Sequence, residues 1–339
     1  MRLTTWTTVA AVLIGLALGG GEALAKKGGG GKPGGGGGGD PPNTTPLDIL
    51  YTVPEGSGYG TLYAMQDDGT GAVAVTDTRG AASWSPDGTQ VAFYGVQSGF
   101  GVYVMDVDGG TPQKLIAIEN FTAGWLDWCP VAEADGTHKL AFTSRDDSGT
   151  GNADLYVARF DDSGLIDSER LTSSTGNESR PTWSPSGEQI AIAYHQQIRV
   201  LDLADRDASG IPSVHVLYDS TQKWPQHVAW AKTSNQLAFT AADDQAHPLN
   251  DVFVMQLSHS NGVWTGSSAV NITNSPKDDE SDPTWSPDDS QLAVFDVYWR
   301  RGAGNGKATS SLQLLTRATG ARQTLSSTGV TPVWRRSTP

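Results

Sequence analysis

SWSPDGTQVAF, Ser83 to Phe93, reads as the end of one strand, a tight turn and the start of another. Ser85 takes the first turn position, Pro86 presets φ at the second, and Gly88 closes the turn at the fourth. Near copies stand at Pro181–Ile192 (PTWSPSGEQIAI) and Pro283–Val294 (PTWSPDDSQLAV). A recurring strand-turn-strand marks a repeat architecture, so the period has to be found first.

Alignment on tryptophan gives Trp84, Trp128, Trp183, Trp230, Trp285 and Trp334, spaced by 44, 55, 47, 55 and 49 residues. Seven residues after four of them begins an apolar-Ala-apolar triplet, as in Val91-Ala92-Phe93 and Ile190-Ala191-Ile192. The second unit carries Leu140-Ala141-Phe142, delayed by an insertion at 131–136. A third strand follows in each unit (Val102–Met105, Leu155–Val157, Ile198–Leu201, Val252–Met255, Leu312–Leu315). A short fourth follows near Leu115, Leu171, Leu217, Ile272 and Leu325. Four short strands per period of about 50 residues, with almost no helical pattern, predict β-propeller blades. Trp334 has no room for three strands after it, but Asp48–Tyr51, Thr61–Met65 and Ala72–Val75 match strands two to four. The expected fold is therefore all-β. It is a six-bladed β-propeller of four-stranded blades over 47–339, closed by N- and C-terminal strands sharing one blade. The six tryptophans are read as structural, each packing on a neighbouring blade. Cys129 stands in the turn where Ser85 and Ser184 stand, and is read as a turn residue rather than a nucleophile.

The W-S-P-D-G turn, the triplet, VYVMDVDGG at Val102–Gly110 and the following Lys114-Leu115 resemble the WD-like repeats of the TolB-type propeller family. The resemblance covers roughly 47–336. It implies the propeller fold and a periplasmic, protein-binding role. Similar repeats occur in propellers of prolyl-oligopeptidase-type peptidases and in an oligogalacturonate lyase. Family members carry an α/β domain ahead of the propeller; here that place holds a glycine-rich stretch.

The first residues are read as a leader rather than as fold. Arg2, an apolar run from Val9 to Leu18 and Ala23-Leu24-Ala25 form a secretory signal peptide, 1–25, cleaved after Ala25. Residues 26–46 include ten glycines and read as a flexible linker. No later apolar run is long enough to cross a membrane as a helix. The expected location is periplasmic or secreted. The formal net charge of −14 argues against nucleic acid as a partner. A single cysteine excludes an intrachain disulfide framework. The chain is expected to be a monomer.

Strand alternation puts the 1–2 and 3–4 turns on one face. The 2–3 links and the blade-to-blade links lie on the other. The long links, Arg145–Ala153, Ala241–Asn250 and Asp296–Ala308, all fall on that second face, where binding usually resides. It should carry Tyr298, Trp299, Arg300 and Arg301, an aromatic-arginine group typical of interface anchors. Arg180, His227 and Asp282, near strand-one starts, should ring the mouth of the central channel. There is no G-x-S-x-G elbow and no H-E-x-x-H, and the six histidines are scattered singly, so no cofactor and no metal site is expected. The expected function is non-enzymatic binding of a protein or peptide through the long-link face. One alternative is a carbohydrate-active lyase or hydrolase using Arg180, His227 and Asp282. Another is a tethered structural domain. A histidine, an arginine and a carboxylate converging in the channel would favour the enzyme, and an exposed patch around Trp299 a protein partner.

Overall fold

The computed structural model describes residues 47–55, 59–118, 124–145, 152–221, 223–244, 247–275, 277–299 and 308–336. The expected leader and linker, Arg300, Arg301 and the side chain of Trp299 lie outside the described residues. Those described form six antiparallel blades. Blade 1 pairs Val330–Trp334, Ile49–Pro54, Gly60–Met65 and Val73–Thr78, in that order outward from the axis. Blades 2, 3 and 4 run Ala82–Ala117, Leu126–Arg170 and Glu178–Asp219. Blades 5 and 6 run Gln226–Asn271 and Asp278–Ser326. The chain ends share blade 1, with Ile49 opposite Trp334 and Leu50 opposite Val333. The ring therefore leaves no inner strand unpaired.

The core lies between blades rather than within one domain centre. Six clusters of buried apolar residues occupy the six junctions. Tyr94 and Val102 of blade 2 meet Trp128 and Phe142 of blade 3, and Tyr51 and Met65 of blade 1 meet Phe295 and Leu312 of blade 6. All six repeat tryptophans are buried. Three of them donate Nε1–H to the inner strand of the preceding blade: Trp84 to Val333 O (3.2 Å), Trp183 to Asp127 O (3.0 Å) and Trp285 to Ala229 O (3.0 Å).

In four blades the residue before the tryptophan carries a polar side chain with a role of its own. Inner strands of neighbouring blades splay around the axis and cannot pair as a sheet, so their backbone N–H groups need other partners. Ser83 Oγ accepts from Trp128 N (3.0 Å) and Asp127 Oδ2 from Trp183 N (2.8 Å). Thr182 Oγ1 accepts from Trp230 N (3.1 Å), and Thr284 Oγ1 from Trp334 N (3.1 Å).

The turns form as expected, with Gly88 N donating to Ser85 O (3.0 Å). In blade 6 Asp289 replaces that glycine and holds the same left-handed backbone, φ 59°. Its carboxylate accepts from Lys232 N (2.6 Å) and Thr233 N (3.1 Å), tying blade 6 to blade 5. Cys129 is buried and its thiol is pushed up to about 11, chiefly by desolvation.

Two features differ from expectation. Much of the supposed long links in blades 5 and 6 is strand: Gln236–Asp244 pairs His247–Ser260, and Gln291–Trp299 pairs Ala308–Thr316. β-Branched and aromatic residues such as Val297 and Tyr298 continue the ladder past the core. Blade 5 also carries an additional hairpin in which Leu257–Ser260 pairs Val263–Gly266. Trp264 there lies edge-on to Trp230 (5.7 Å) and donates to Asp202 Oδ2 of blade 4 (3.1 Å).

Candidate functional site at the channel mouth

Inner strands run from the mouth face toward the turn face, and the third residue before each tryptophan lies on the mouth side of that tryptophan. Those six positions are Ala81, Trp125, Arg180, His227, Asp282 and Thr331. In four blades this residue has positive φ: Arg180 (51°), His227 (53°), Asp282 (56°) and Thr331 (50°). A bulge accompanies it. In blade 4 the register jumps from Ser179–Ala193 to Thr182–Ala191, so two residues oppose one. The same shift occurs in blades 5 and 6. A left-handed non-glycine residue costs on the order of 1–2 kcal/mol, so four at one repeat position mark a place the fold holds under strain.

The three residues expected to ring the mouth do meet. Arg180 forms an ion pair with Asp282, reaching from blade 4 to blade 6 across blade 5. Its guanidinium also lies on the face of Trp125 from blade 3, 3.4 Å from the ring centroid. His227 of blade 5 sits beneath, with Nδ1 accepting from Asp282 N (3.2 Å) and 3.3 Å from Thr240 Oγ1. Ser281 Oγ donates to Asp282 Oδ2 (2.9 Å). Burial pulls the His227 pKa well below its ordinary value, and the Arg180 charge adds to this. The imidazole is thus neutral at physiological pH. With Nδ1 accepting, its proton sits on Nε2. The one basic nitrogen is already used, and Asp282 is already paired. The arrangement can brace four blades and shut the mouth; it offers no free base. Below it lies a channel cavity of about 80 Å³, walled by Trp125, Arg180, Thr182, Lys232 and Thr284.

Around the mouth the surface is aromatic. Among the described residues the exposed aromatics are Tyr59 (42 %), Phe100 (37 %), Trp224 (53 %) and Tyr298 (36 %). All four lie in 2–3 hairpins or blade-to-blade links, so all face the mouth side. Arg79 lies over Tyr59 (4.1 Å) and Phe100 (5.1 Å), joining blades 1 and 2. Trp224 packs edge-on to His195 (6.5 Å). Tyr59 and Phe100 are 41 residues apart, and nothing in either stretch announces the other; ring closure brings them together. Among the described residues no group of three or more His, Cys, Asp or Glu could hold a metal. No described helix is long and apolar enough to cross a membrane.

Neither a family model nor a curated relative matches the chain. Solved structures do. TolB from Acinetobacter baumannii superimposes with a TM-score of 0.61 at 19% identity, covering 86% of this chain and 67% of that one. A putative TolB from Agrobacterium tumefaciens gives 0.54 at 15% identity, covering 82% and 87%. Six four-stranded blades, closed by strands from both chain ends, give this chain the fold of the TolB-type β-propeller.

Proposed function

We propose that this chain is a non-enzymatic recognition propeller that binds a protein or peptide through its mouth face. It is exported by the 1–25 leader and tethered by the 26–46 linker. One observation carries the reading: every exposed aromatic among the described residues lies on that face, one pair with an arginine laid across it. Rigid aromatics beside arginine supply large contact area at low entropic cost, the composition of binding hot spots. The similarity in fold to TolB agrees with it. Trp299, Arg300 and Arg301 follow Tyr298 in the sequence and lie outside the described residues or side chains.

The convergence of Arg180, His227 and Asp282 supports a second reading, a carbohydrate-active site. The internal pairing of all three weighs against it.

The test is selection from a random peptide phage library on the immobilised chain. Selected peptides are then titrated against Trp224→Ala, Tyr59→Ala/Phe100→Ala and Trp299→Ala/Arg300→Ala/Arg301→Ala. Each aromatic anchor is worth about 1–2 kcal/mol, so affinity should drop about tenfold or more in the first two variants. Absence of any enriched peptide, together with binding of an oligosaccharide on a glycan array, would replace this reading with the second.

A further inference from the structure

The turn-face end of the channel has a chemistry unlike the mouth. Two residues after the tryptophan, four blades place proline: Pro86, Pro130, Pro185 and Pro287. Blades 5 and 1 place Lys232 and Arg336 there instead. Both line a small cavity of about 10 Å³ at this end, and Lys232 also lines the larger channel cavity. Arg336 reaches across the axis from blade 1. Its Nη1 donates to Lys232 O and its Nη2 to Trp183 O, both at a long 3.4 Å. Its guanidinium therefore lies against the inner strands of blades 4 and 5.

The carboxylates nearby are already committed. Asp127 accepts from Ser83 Oγ (3.1 Å) and Trp183 N (2.8 Å). Asp289 accepts from Lys232 N, Thr233 N and Thr233 Oγ1. Among the described residues, no ion pair joins the Lys232 ammonium or the Arg336 guanidinium to a carboxylate. Two half-buried cations thus share one end of the channel, with only neutral carbonyl oxygens as hydrogen-bond acceptors for the guanidinium.

We propose that this end of the channel binds a small oxyanion, a carboxylate or phosphate group, between Lys232 and Arg336. A guanidinium fork matches two oxygens of either group, and an ammonium supplies a further donor. The cavity that both cations line is about 10 Å³, and Lys232 also lines the channel cavity of about 80 Å³, which exceeds what a single water needs. Electrostatics agree with the geometry. Burial, with Arg336 adding to it, lowers Lys232 to about 7, against the opposing pull of Asp127 and Asp289. Burial likewise lowers Arg336, again against Asp127, Asp289 and the Cys129 thiol. An anion between the two cations favours both charged forms. Binding therefore takes up a proton at Lys232 and weakens as pH rises through about 7. Lys232 and Arg336 are not part of the mouth ring, so the proposal does not rest on the binding reading above, although Trp125 and Arg180 also wall the channel cavity that Lys232 lines.

Calorimetric titration of the full chain with sodium acetate and with inorganic phosphate, in chloride-free buffer, tests this. Saturable one-to-one binding is expected, with acetate at least tenfold weaker at pH 8.5 than at pH 6. Lys232→Gln and Arg336→Gln should each weaken it at least tenfold. Arg206→Gln, on the outer rim, should leave it unchanged. A preference for phosphate points to a phosphorylated ligand, and a preference for acetate to a carboxylate such as a peptide end. If either variant fails to fold, nitrogen NMR of Lys232 Nζ in the unaltered chain decides: its titration should move up by roughly one and a half units or more at saturation. No saturation by either anion, equal affinity in both channel variants, or an unmoved Lys232 titration overturns the proposal.

Discussion

Thr182 spends its hydroxyl on a backbone N–H that no strand can reach. Trp230 N is buried at the blade 4–5 junction and has Thr182 Oγ1 as its acceptor. Thr182→Val keeps the shape and removes the acceptor. An orphaned buried N–H costs about 1–3 kcal/mol, so the unfolding free energy should fall by that amount, read as a lower urea midpoint at unchanged slope. An unchanged midpoint would mean that water takes the place of the hydroxyl. At this scale the sequence was partly legible. The tryptophans and the S-P-D-G turns announced themselves because turn chemistry is local. The Arg180, His227 and Asp282 ring could be placed by counting back from tryptophan. The small polar residue before the tryptophan gave no signal of purpose, since its partner sits about one blade further along the chain. Lys232 and Arg336 were visible only as departures from proline.

Between strands, the polar knot joining blades 5 and 6 is the clearest element-level device. Glu280, buried near the start of the inner strand of blade 6, accepts from Arg322 Nη2 (2.6 Å), Thr273 Oγ1 (3.3 Å) and Ser275 Oγ. Desolvation raises Glu280 from 4.5 to about 7, against those hydrogen bonds, and raises Asp296 to about 6. A raised carboxylate holds its proton more tightly folded than unfolded. Its contribution is complete at low pH and is lost as pH climbs from about 4.5 through about 7. The melting temperature of the chain should fall over that window. Glu280→Gln should flatten the decline by on the order of 2 kcal/mol, leaving a smaller slope from Asp296. A profile identical in the variant would remove Glu280 as the cause. Element existence and order were readable from alternating apolar patterns. The lengths of the 2–3 hairpins in blades 5 and 6 were not, because polar residues such as Asp243 and Asp244 continue a strand only when a partner is already aligned. The Leu257–Gly266 hairpin was missed for a related reason: Trp264 is anchored by Asp202 of another blade.

Across the whole molecule, stability depends on closure. Each apolar cluster sits between two blades, so the last strand completes two junctions at once: Trp334 lies in the cluster shared with blade 6, and Val333 packs on the one shared with blade 2. Ending the chain at Gly329 should abolish the cooperative melt or drive association through the bared edge of Ile49–Pro54. Size-exclusion chromatography and circular dichroism would register either result. A truncated chain that stays monomeric with the same melt would show closure to be dispensable. Six-fold closure was legible in the sequence because the orphan Trp334 and the three unpaired N-terminal strands fitted one another. The aromatic rim was not, since its members meet only once the ring is formed.

The shared blade also gives the molecule a direction. The strand Ile49–Pro54 begins, and the strand Val330–Trp334 ends, on the turn side of the ring, where Arg335 N donates to Asp48 O (2.7 Å) and the two side chains pair (3.0 Å). Leu47 and Arg336, the two ends of the described chain, therefore lie on the same side of the ring. Both ends thus meet the ring at its cationic floor, and a tether joined to either one leaves the aromatic mouth on the opposite face unobstructed.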